Sequence, residues 1–305
     1  MLIVMYARPF ATTPPLLRLH FVAAVIGRLI RQATLIVAVS ALVPAFATET
    51  TIAFWDFSEP AGPVINSVVN AEVNVSEATS ARHGGWVGYS VDTSDDGEVE
   101  RDGSRAAFNG ERDSIVLIDG TDHTEFNPDD GSLVITLQFA VDRSALSEAA
   151  LAPKGTWNLI QKGRYNNQGG QWKMQIRKAP AGRLFFQCLI NDDNPDIKRA
   201  VAQTVLKKRW IEKGYVFTGR CTLNRQSNEL SLELSNSTTG NTQSPVKTSL
   251  HPDFGNVAPR AGECGSPNSF GANVAIGNKP LCPNQTLDTN DAFRGEVFSA
   301  HIKRF

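Results

Sequence analysis

The chain has 305 residues, of which 41% are hydrophobic and 20% are charged, and its formal net charge at pH 7 is −1. This balance is typical of globular proteins and excludes collagen-like, coiled-coil and wholly disordered chains. A charge near zero argues against nucleic acid as a partner, because proteins that bind it carry an excess of Lys and Arg. The length is sufficient for one large all-β domain.

The N-terminus has the pattern of a secretory signal peptide. Residues 1–32 contain arginines and no acidic residue, and the apolar run 33–43 precedes Pro44 and an Ala-x-Ala sequence ending at Ala47. A basic segment, a short apolar segment and small residues at the cleavage site mark such a signal. The run is shorter than the roughly 20 residues that cross a bilayer. We predict a signal peptide with an extended basic leader at 1–47 and a mature domain, with no membrane span, at 48–305. The predicted location is therefore secreted, extracellular or periplasmic; the alternatives are an uncleaved anchor and a start codon further downstream.

Four cysteines agree with export, because an even number of cysteines in a secreted chain favours disulfides. Cys188, Cys221, Cys264 and Cys282 allow three pairings. We favour Cys188–Cys221 and Cys264–Cys282, since the members of each pair are close in sequence and share a similar local context. The alternative, a zinc site, lacks the Cys-x-x-Cys spacing that such sites use.

From residue 48 onward the chain has the pattern of an all-β domain. Short runs of alternating, β-branched or aromatic residues are separated by segments rich in Gly, Asn, Asp and Pro. Such runs predict strands, and many short strands predict a two-sheet sandwich or jelly roll. We predict strands at 51–57, 104–108, 114–118, 133–141, 157–162, 171–178, 183–190, 215–222, 229–234, 272–276 and 296–304, and short helices at 144–151 and 201–208.

A series of short motifs resembles a known family. The sequence reads Phe-Trp-Asp-Phe-Ser-Glu at 54–59, Phe-Asn-Gly at 108–110, Phe-Asn-Pro before the long strand at 133–141, and Phe-Arg-Gly-Glu-Val at 293–297. In this order the motifs resemble laminin-G-like domains of the concanavalin A-like lectin/glucanase superfamily. The resemblance implies a jelly roll of two curved antiparallel sheets, with a concave face often used for glycans or proteins. Because many functions share this fold, it implies no single activity.

Strand alternation selects a candidate binding face. Gln175 and Arg177 lie opposite the apolar side of their strand, as do Gln187 and Arg220 in theirs. Amides bind hydroxyl groups as donors and acceptors, and Arg binds carboxylates with two parallel hydrogen bonds. We predict that this face binds a polysaccharide or an extracellular protein; the alternative is an ordinary solvated sheet face. Three further candidates are expected nearby, namely Gln161, Lys162 and Arg164.

Motifs of common enzymes are absent from the sequence. It contains no Glu-x-Asp-x-x-Glu strand of the glucanases, no Gly-x-Ser-x-Gly elbow and no His-Glu-x-x-His zinc motif. The leading hypothesis is therefore a non-catalytic, lectin-like binding domain. One alternative is a polysaccharide lyase that cleaves uronate-containing glycans by β-elimination with Tyr165, Arg177 and Arg220. The other is a structural or surface-interaction domain.

Two acidic loops are candidates for a calcium site. Laminin-G-like domains commonly hold one Ca²⁺, and carboxylates suit this hard cation. The resemblance thus implies a possible site at Asp92, Asp95 and Asp96, with Asp192, Asp193 and Asp196 as the other group. Solvated acidic loops are the alternative interpretation. Asn-x-Ser/Thr sequons begin at Asn74, Asn236 and Asn284 and would matter in a host that glycosylates exported proteins.

Overall fold

The computed structural model describes residues 49–57, 67–69, 88–89, 99–101, 105–110, 116–118, 126–147, 155–163, 170–179, 182–194, 196–259, 274–279 and 291–305. The predicted signal peptide at 1–47 lies outside these residues. Among the described residues, none of the helices is both long enough and apolar enough to span a membrane.

The regular secondary structure in the described part of the chain is almost all strand, as the alternating sequence pattern predicts. A short 3-10 helix spans Arg143–Leu146 and a five-residue α-helix, α1, spans Lys208–Glu212. The strands are β1 (Thr50–Trp55), β2 (Ser67–Val69), β3 (Gly88–Tyr89), β4 (Val99–Arg101), β5 (Ala106–Asn109), β6 (Val116–Ile118), β7 (Leu133–Val141), β8 (Thr156–Gly163), β9 (Gln171–Ala179), β10 (Arg183–Asn191), β11 (Arg199–Leu206), β12 (Phe217–Asn224), β13 (Glu229–Asn236), β14 (Asn241–Thr242), β15 (Val246–Ser249), β16 (Val274–Ile276) and β17 (Arg294–Arg304).

These strands form two antiparallel sheets. The first is ten-stranded, with the order β14-β13-β12-β7-β17-β1-β2; β15 pairs with β13, and β5 pairs with β17 and β4. The second is seven-stranded, with the order β11-β10-β9-β8-β16-β6-β3. The predicted two-sheet antiparallel sandwich is confirmed, and it is the architecture that the laminin-G-like resemblance implies.

The core lies between the two sheets and is filled by alternate residues of each strand. Phe139 of the first sheet packs against Phe186 of the second, with ring centroids 5.3 Å apart, and against Phe217 at 5.5 Å. A disulfide between Cys188 on β10 and Cys221 on β12 joins the sheets, with the Cα atoms 5.8 Å apart. This predicted pairing is confirmed, whereas the second predicted pair, Cys264 and Cys282, lies outside the described residues.

One predicted helix is wrong. Residues 201–206 belong to β11, which pairs along its whole length with β10. Ala200, Ala202 and Thr204 are buried while the residues between them are more exposed, which is the two-residue period of a strand. Helical structure begins only at Lys208, where Trp210 and Ile211 turn into the core.

Candidate functional site

An open groove of about 580 Å³ crosses strands β8 to β11 on the outer face of the seven-stranded sheet. Its lining contains three cationic side chains, four glutamines, two aliphatic side chains and one threonine. These are Lys173, Arg177 and Arg199; Gln171, Gln175, Gln187 and Gln203; Leu189 and Val201; and Thr156. The structure thus brings together three of the residues that the sequence selects, Gln175, Arg177 and Gln187.

These side chains face outward because their neighbours fill the core. On β9, Trp172, Met174 and Ile176 are buried in the core cluster, so the residues between them point to the opposite side. On β10 the buried Cys188 points inward to its disulfide partner. Its two neighbours in sequence consequently form the floor of the groove.

One hydrogen-bonded row of amides crosses the groove. Gln175 Nε2 donates to Gln187 Oε1 at 2.7 Å, and Gln187 Nε2 donates to Gln203 Oε1, also at 2.7 Å. The three residues lie directly opposite one another in the strand register. Such a chain of amides is mutually polarised and holds each side chain in place. We call it the upper ladder. Within the described part of the chain, the buried Gln175 Oε1 has no hydrogen-bond partner.

A second row, the lower ladder, lies four residues further along the strands. Asn191 Nδ2 donates to Gln171 Oε1 at 3.3 Å, and Arg199 Nε donates to Asn191 Oδ1 at 3.1 Å. Between the ladders Leu189 is directly opposite Val201, which forms an aliphatic strip. Since a strand rises about 3.4 Å per residue, the strip lies about 7 Å from each ladder.

The cationic side chains are distributed over the groove rather than clustered. Lys173 Nζ donates to Asn158 Oδ1 at 3.4 Å beside the upper ladder. The side chain of Arg177, near the end of β9, is exposed and makes no hydrogen bond or ion pair with the other described residues. At the rim, the Thr156 hydroxyl donates to a carboxylate oxygen of Asp291. The groove therefore offers positive charge and fixed amides to a ligand.

Arg220 does not belong to this groove, so the predicted grouping with Gln175 is wrong. Arg220 lies on β12, on the outer face of the ten-stranded sheet. The disulfide gives the reason: Cys188 and Cys221 point toward each other from facing sheets. The neighbours of each cysteine therefore project from opposite surfaces of the sandwich.

Arg220 instead takes part in an ion cluster on that second surface. Arg220 donates to Glu49 Oε1, and Lys303 Nζ donates to Glu49 Oε2 at 3.2 Å. Burial alone would raise the pKa of Glu49, but the hydrogen bond from Lys303 and the charge of Arg220 outweigh it and hold the pKa below its ordinary value. Nearby, His301 Nε2 lies 3.0 Å from the Thr51 hydroxyl. Burial, followed by repulsion from Lys303, lowers the pKa of His301.

Two other predicted ligand residues, Gln161 and Lys162, lie on β8 but are not exposed. A bulge between Asn158 and Ile160 shifts the register, so Lys162 lies opposite the core residue Trp172. Its Nζ is 5.8 Å from the centroid of the Phe126 ring, and the residue is fully buried. Gln161 is also buried, and its Nε2 donates to a backbone carbonyl at 3.4 Å. The remaining two candidates, Arg164 and Tyr165, lie outside the described residues.

The predicted calcium residues Asp92, Asp95 and Asp96 also lie outside the described residues. In the other acidic loop, Asp192 accepts hydrogen bonds from the backbone N–H groups of Lys198 and Gly255, both at 2.7 Å. Its oxygens thus face N–H donors and organise the loop. Among the described residues, no group of three or more His, Cys, Asp or Glu side chains is placed to hold a metal ion.

The groove also contains residues that sequence reasoning misses. Arg199, Val201 and Gln203 are on β11, and the last two lie in the segment 201–208 for which a helix is predicted. The signal for a strand is the share of β-branched residues: three of the six residues at 201–206 are β-branched, namely Val201, Thr204 and Val205.

The known proteins that resemble this chain are only distantly similar to it. No protein-family model matches the chain, and no curated protein matches its sequence. Among solved structures, the full-length tailspike protein 2 of Escherichia coli O157:H7 bacteriophage CAB120 is similar, with a TM-score of 0.37 and 12% identity; the match covers 66% of this chain and 23% of that one. The LG1-3 region of the laminin alpha2 chain has a TM-score of 0.35 and 8% identity, covering 55% and 26%. The CBM40 of Ruminococcus gnavus IT-sialidase bound to alpha2,6 sialyllactose has a TM-score of 0.36 and 13% identity, covering 61% and 84%. Likeness at this level assigns neither ligand nor activity to this chain.

Proposed function

We propose that this protein is a carbohydrate-binding domain and that the groove on the seven-stranded sheet is its binding site. The observation that carries the proposal is the pair of amide ladders on either side of the Leu189–Val201 strip. A sugar ring presents C–H groups on its faces and hydroxyl groups around its edge. The strip suits the face, and amides that donate and accept suit the hydroxyl groups.

The ladders also reduce the entropic cost of binding. Gln175 and Gln187 are each only 3% exposed, and their amide groups are fixed by hydrogen bonds before a ligand arrives. A side chain that is already ordered loses little rotamer freedom on binding, which otherwise costs about 0.5–1.5 kcal/mol for each side chain.

We further propose that the protein is exported. The disulfide between Cys188 and Cys221 supports this location, since disulfides form and persist mainly in oxidising compartments. Many extracellular glycans are accessible to a protein in such a compartment.

The test is a glycan array screened with the full chain and with two matched variants. Gln187→Met keeps the side-chain length but breaks the upper ladder at its centre, so we expect its array signals to fall at least about tenfold through lost hydrogen bonds. Gln138→Met is the control, because Gln138 lies on β7 of the other sheet. Binding to no glycan at all, or equal binding by Gln187→Met and the unmodified chain, would refute the proposal.

A parallel assay distinguishes binding from catalysis. The full chain is incubated with uronate-containing polysaccharides, and the ultraviolet absorbance of unsaturated sugars is followed. We expect a constant absorbance. A rise that Arg177→Gln abolishes would instead identify the protein as a lyase that uses the same groove.

A further inference from the structure

The distribution of charge along the groove indicates which glycans it takes. We infer that the ligand is a linear acidic glycan several sugar rings long, which crosses the groove diagonally and is bound through carboxylates at both ends of the diagonal. The inference rests on the proposed carbohydrate-binding function and specifies the class of glycan.

The two ends of the diagonal are Arg177 on β9 and Arg199 on β11. Arg177 is opposite Phe185, and Arg199 is opposite Asn191, six residues further along β10. The two arginines are therefore about 20 Å apart along the strands and two interstrand spacings, about 10 Å, apart across them. This separation exceeds what two arginine side chains can span to reach one carboxylate. One carboxylate therefore cannot contact both arginines.

The path between the arginines crosses the groove features in sequence. A straight line from Arg177 to Arg199 passes Gln187 in the upper ladder and then the strip of Leu189 and Val201. Between one contact and the next, this line advances both along the strands and across the sheet. A glycan on this path meets the amides of the upper ladder, then the aliphatic strip, then the lower ladder. Successive sugar rings therefore find both polar and apolar contacts.

The described lining favours acidic over neutral sugars. It includes Arg177, Lys173 and Arg199, and its other members are amides, aliphatic groups and a hydroxyl. The planar guanidinium group of Arg binds a carboxylate through two parallel hydrogen bonds, which gives geometric selectivity as well as attraction. Lys173, near the middle of the path, adds a further positive charge.

The experiment measures affinity for matched acidic and neutral glycans with the full chain. The probes are polygalacturonate, alginate and hyaluronan, each beside a form whose carboxyl groups are methyl-esterified or reduced, together with galacturonate and its oligomers of increasing length. We expect at least one acidic polymer to bind and its neutral form to bind roughly ten- to a hundredfold more weakly. Affinity should rise with oligomer length until the diagonal is covered.

Three variants locate the contacts. Arg177→Gln and Arg199→Gln should each weaken binding of the acidic polymer roughly tenfold. Because the two arginines are far apart, the double variant should show nearly the product of the two effects. Arg199→Lys should retain part of the affinity, because it keeps the charge. Arg209→Gln is the control, since Arg209 is an exposed cation on α1.

The outcomes separate the two claims. If neutral and acidic polymers bind equally, and Gln187→Met abolishes both, carbohydrate binding stands and the acidic class is refuted. If galacturonate binds as tightly as its oligomers, or Arg199→Gln has no effect, contact at two ends is refuted. If no glycan binds in a manner that depends on Gln187, the proposed function itself fails.

Discussion

The disulfide between the sheets gives the sharpest test of how the fold is stabilised. Cys188 and Cys221 are separated by 33 residues in sequence and are almost completely buried. Closing a loop of this length removes about 12 cal/mol/K of entropy from the unfolded chain, which corresponds to about 4 kcal/mol at 25 °C. The double variant Cys188→Ala/Cys221→Ala removes this constraint and leaves the remaining cysteines in place.

Thermal unfolding of the oxidised full chain, followed by far-ultraviolet circular dichroism, measures the effect. For a domain of this size each kcal/mol lowers Tm by about 2–4 °C, so the double variant should melt roughly 8–15 °C below the unmodified chain. Cys188→Val/Cys221→Ala is the control for lost volume: it replaces part of the buried volume but not the bond. It should therefore melt close to the first variant.

Two results would contradict this reasoning. A double variant that melts within about 2 °C of the unmodified chain would show that the crosslink does not act on the unfolded state. Recovery of most of the lost Tm by Cys188→Val/Cys221→Ala would show that packing around the sulfur atoms, rather than the bond, supplies the stability.

Three further predictions concern other parts of the molecule. A Cβ at Gly219 would overlap the Phe186 ring across the core, so Gly219→Ala should lower the free energy of unfolding by about 1–3 kcal/mol in urea titrations; an unchanged urea midpoint would contradict the overlap. Folding lowers the pKa of His301 below its ordinary 6.5, so the free energy of unfolding should fall as pH drops through 6.5. Folding also lowers the pKa of Glu49 below its ordinary 4.5, so a further loss of stability should appear below pH 4.5. Urea midpoints between pH 8 and 3 measure both losses, and His301→Gln should remove only the first. The Asn236 amide is fully buried and its oxygen accepts two backbone hydrogen bonds, so a host that glycosylates exported chains should leave it unmodified; a glycan found at this position by mass spectrometry would contradict the burial.

The strands were largely predictable because burial imposes a local pattern. On β12 and β13, buried and more exposed residues alternate without interruption, and this two-residue period can be read from the sequence. Residues 201–208 show where such reading fails. Ala, Gln, Leu and Lys favour helices, but pairing with β10 along the full length of β11 overrides this weak local preference.

The candidate site was only partly predictable, for a different reason. Alternation separates inward from outward residues, but it does not identify the sheet to which a strand belongs. Gln187 and Arg220 both lie next to disulfide-bonded cysteines, yet they project from opposite faces of the sandwich. The bulge in β8 adds a second failure, since one extra residue is enough to turn Lys162 into the core. Strand order and bulges depend on contacts between distant segments, and the sequence of one strand does not specify them.

The part of the groove that could be predicted comes from consecutive strands. β9, β10 and β11 form a meander, so nearly all the lining lies within one continuous stretch of sequence. The alignment of the ladders therefore depends on the turns that join these strands. Asp192 organises the second turn by accepting backbone hydrogen bonds from Asn194 and Lys198 inside it, and one from Gly255 in a neighbouring loop. A shift of one residue at this turn would exchange Gln203 with its buried neighbours. The loop carboxylate thus supports the groove through the register of β11, and its buried acceptor role explains why an acidic residue stands in a turn that the sequence alone would assign to solvent or calcium.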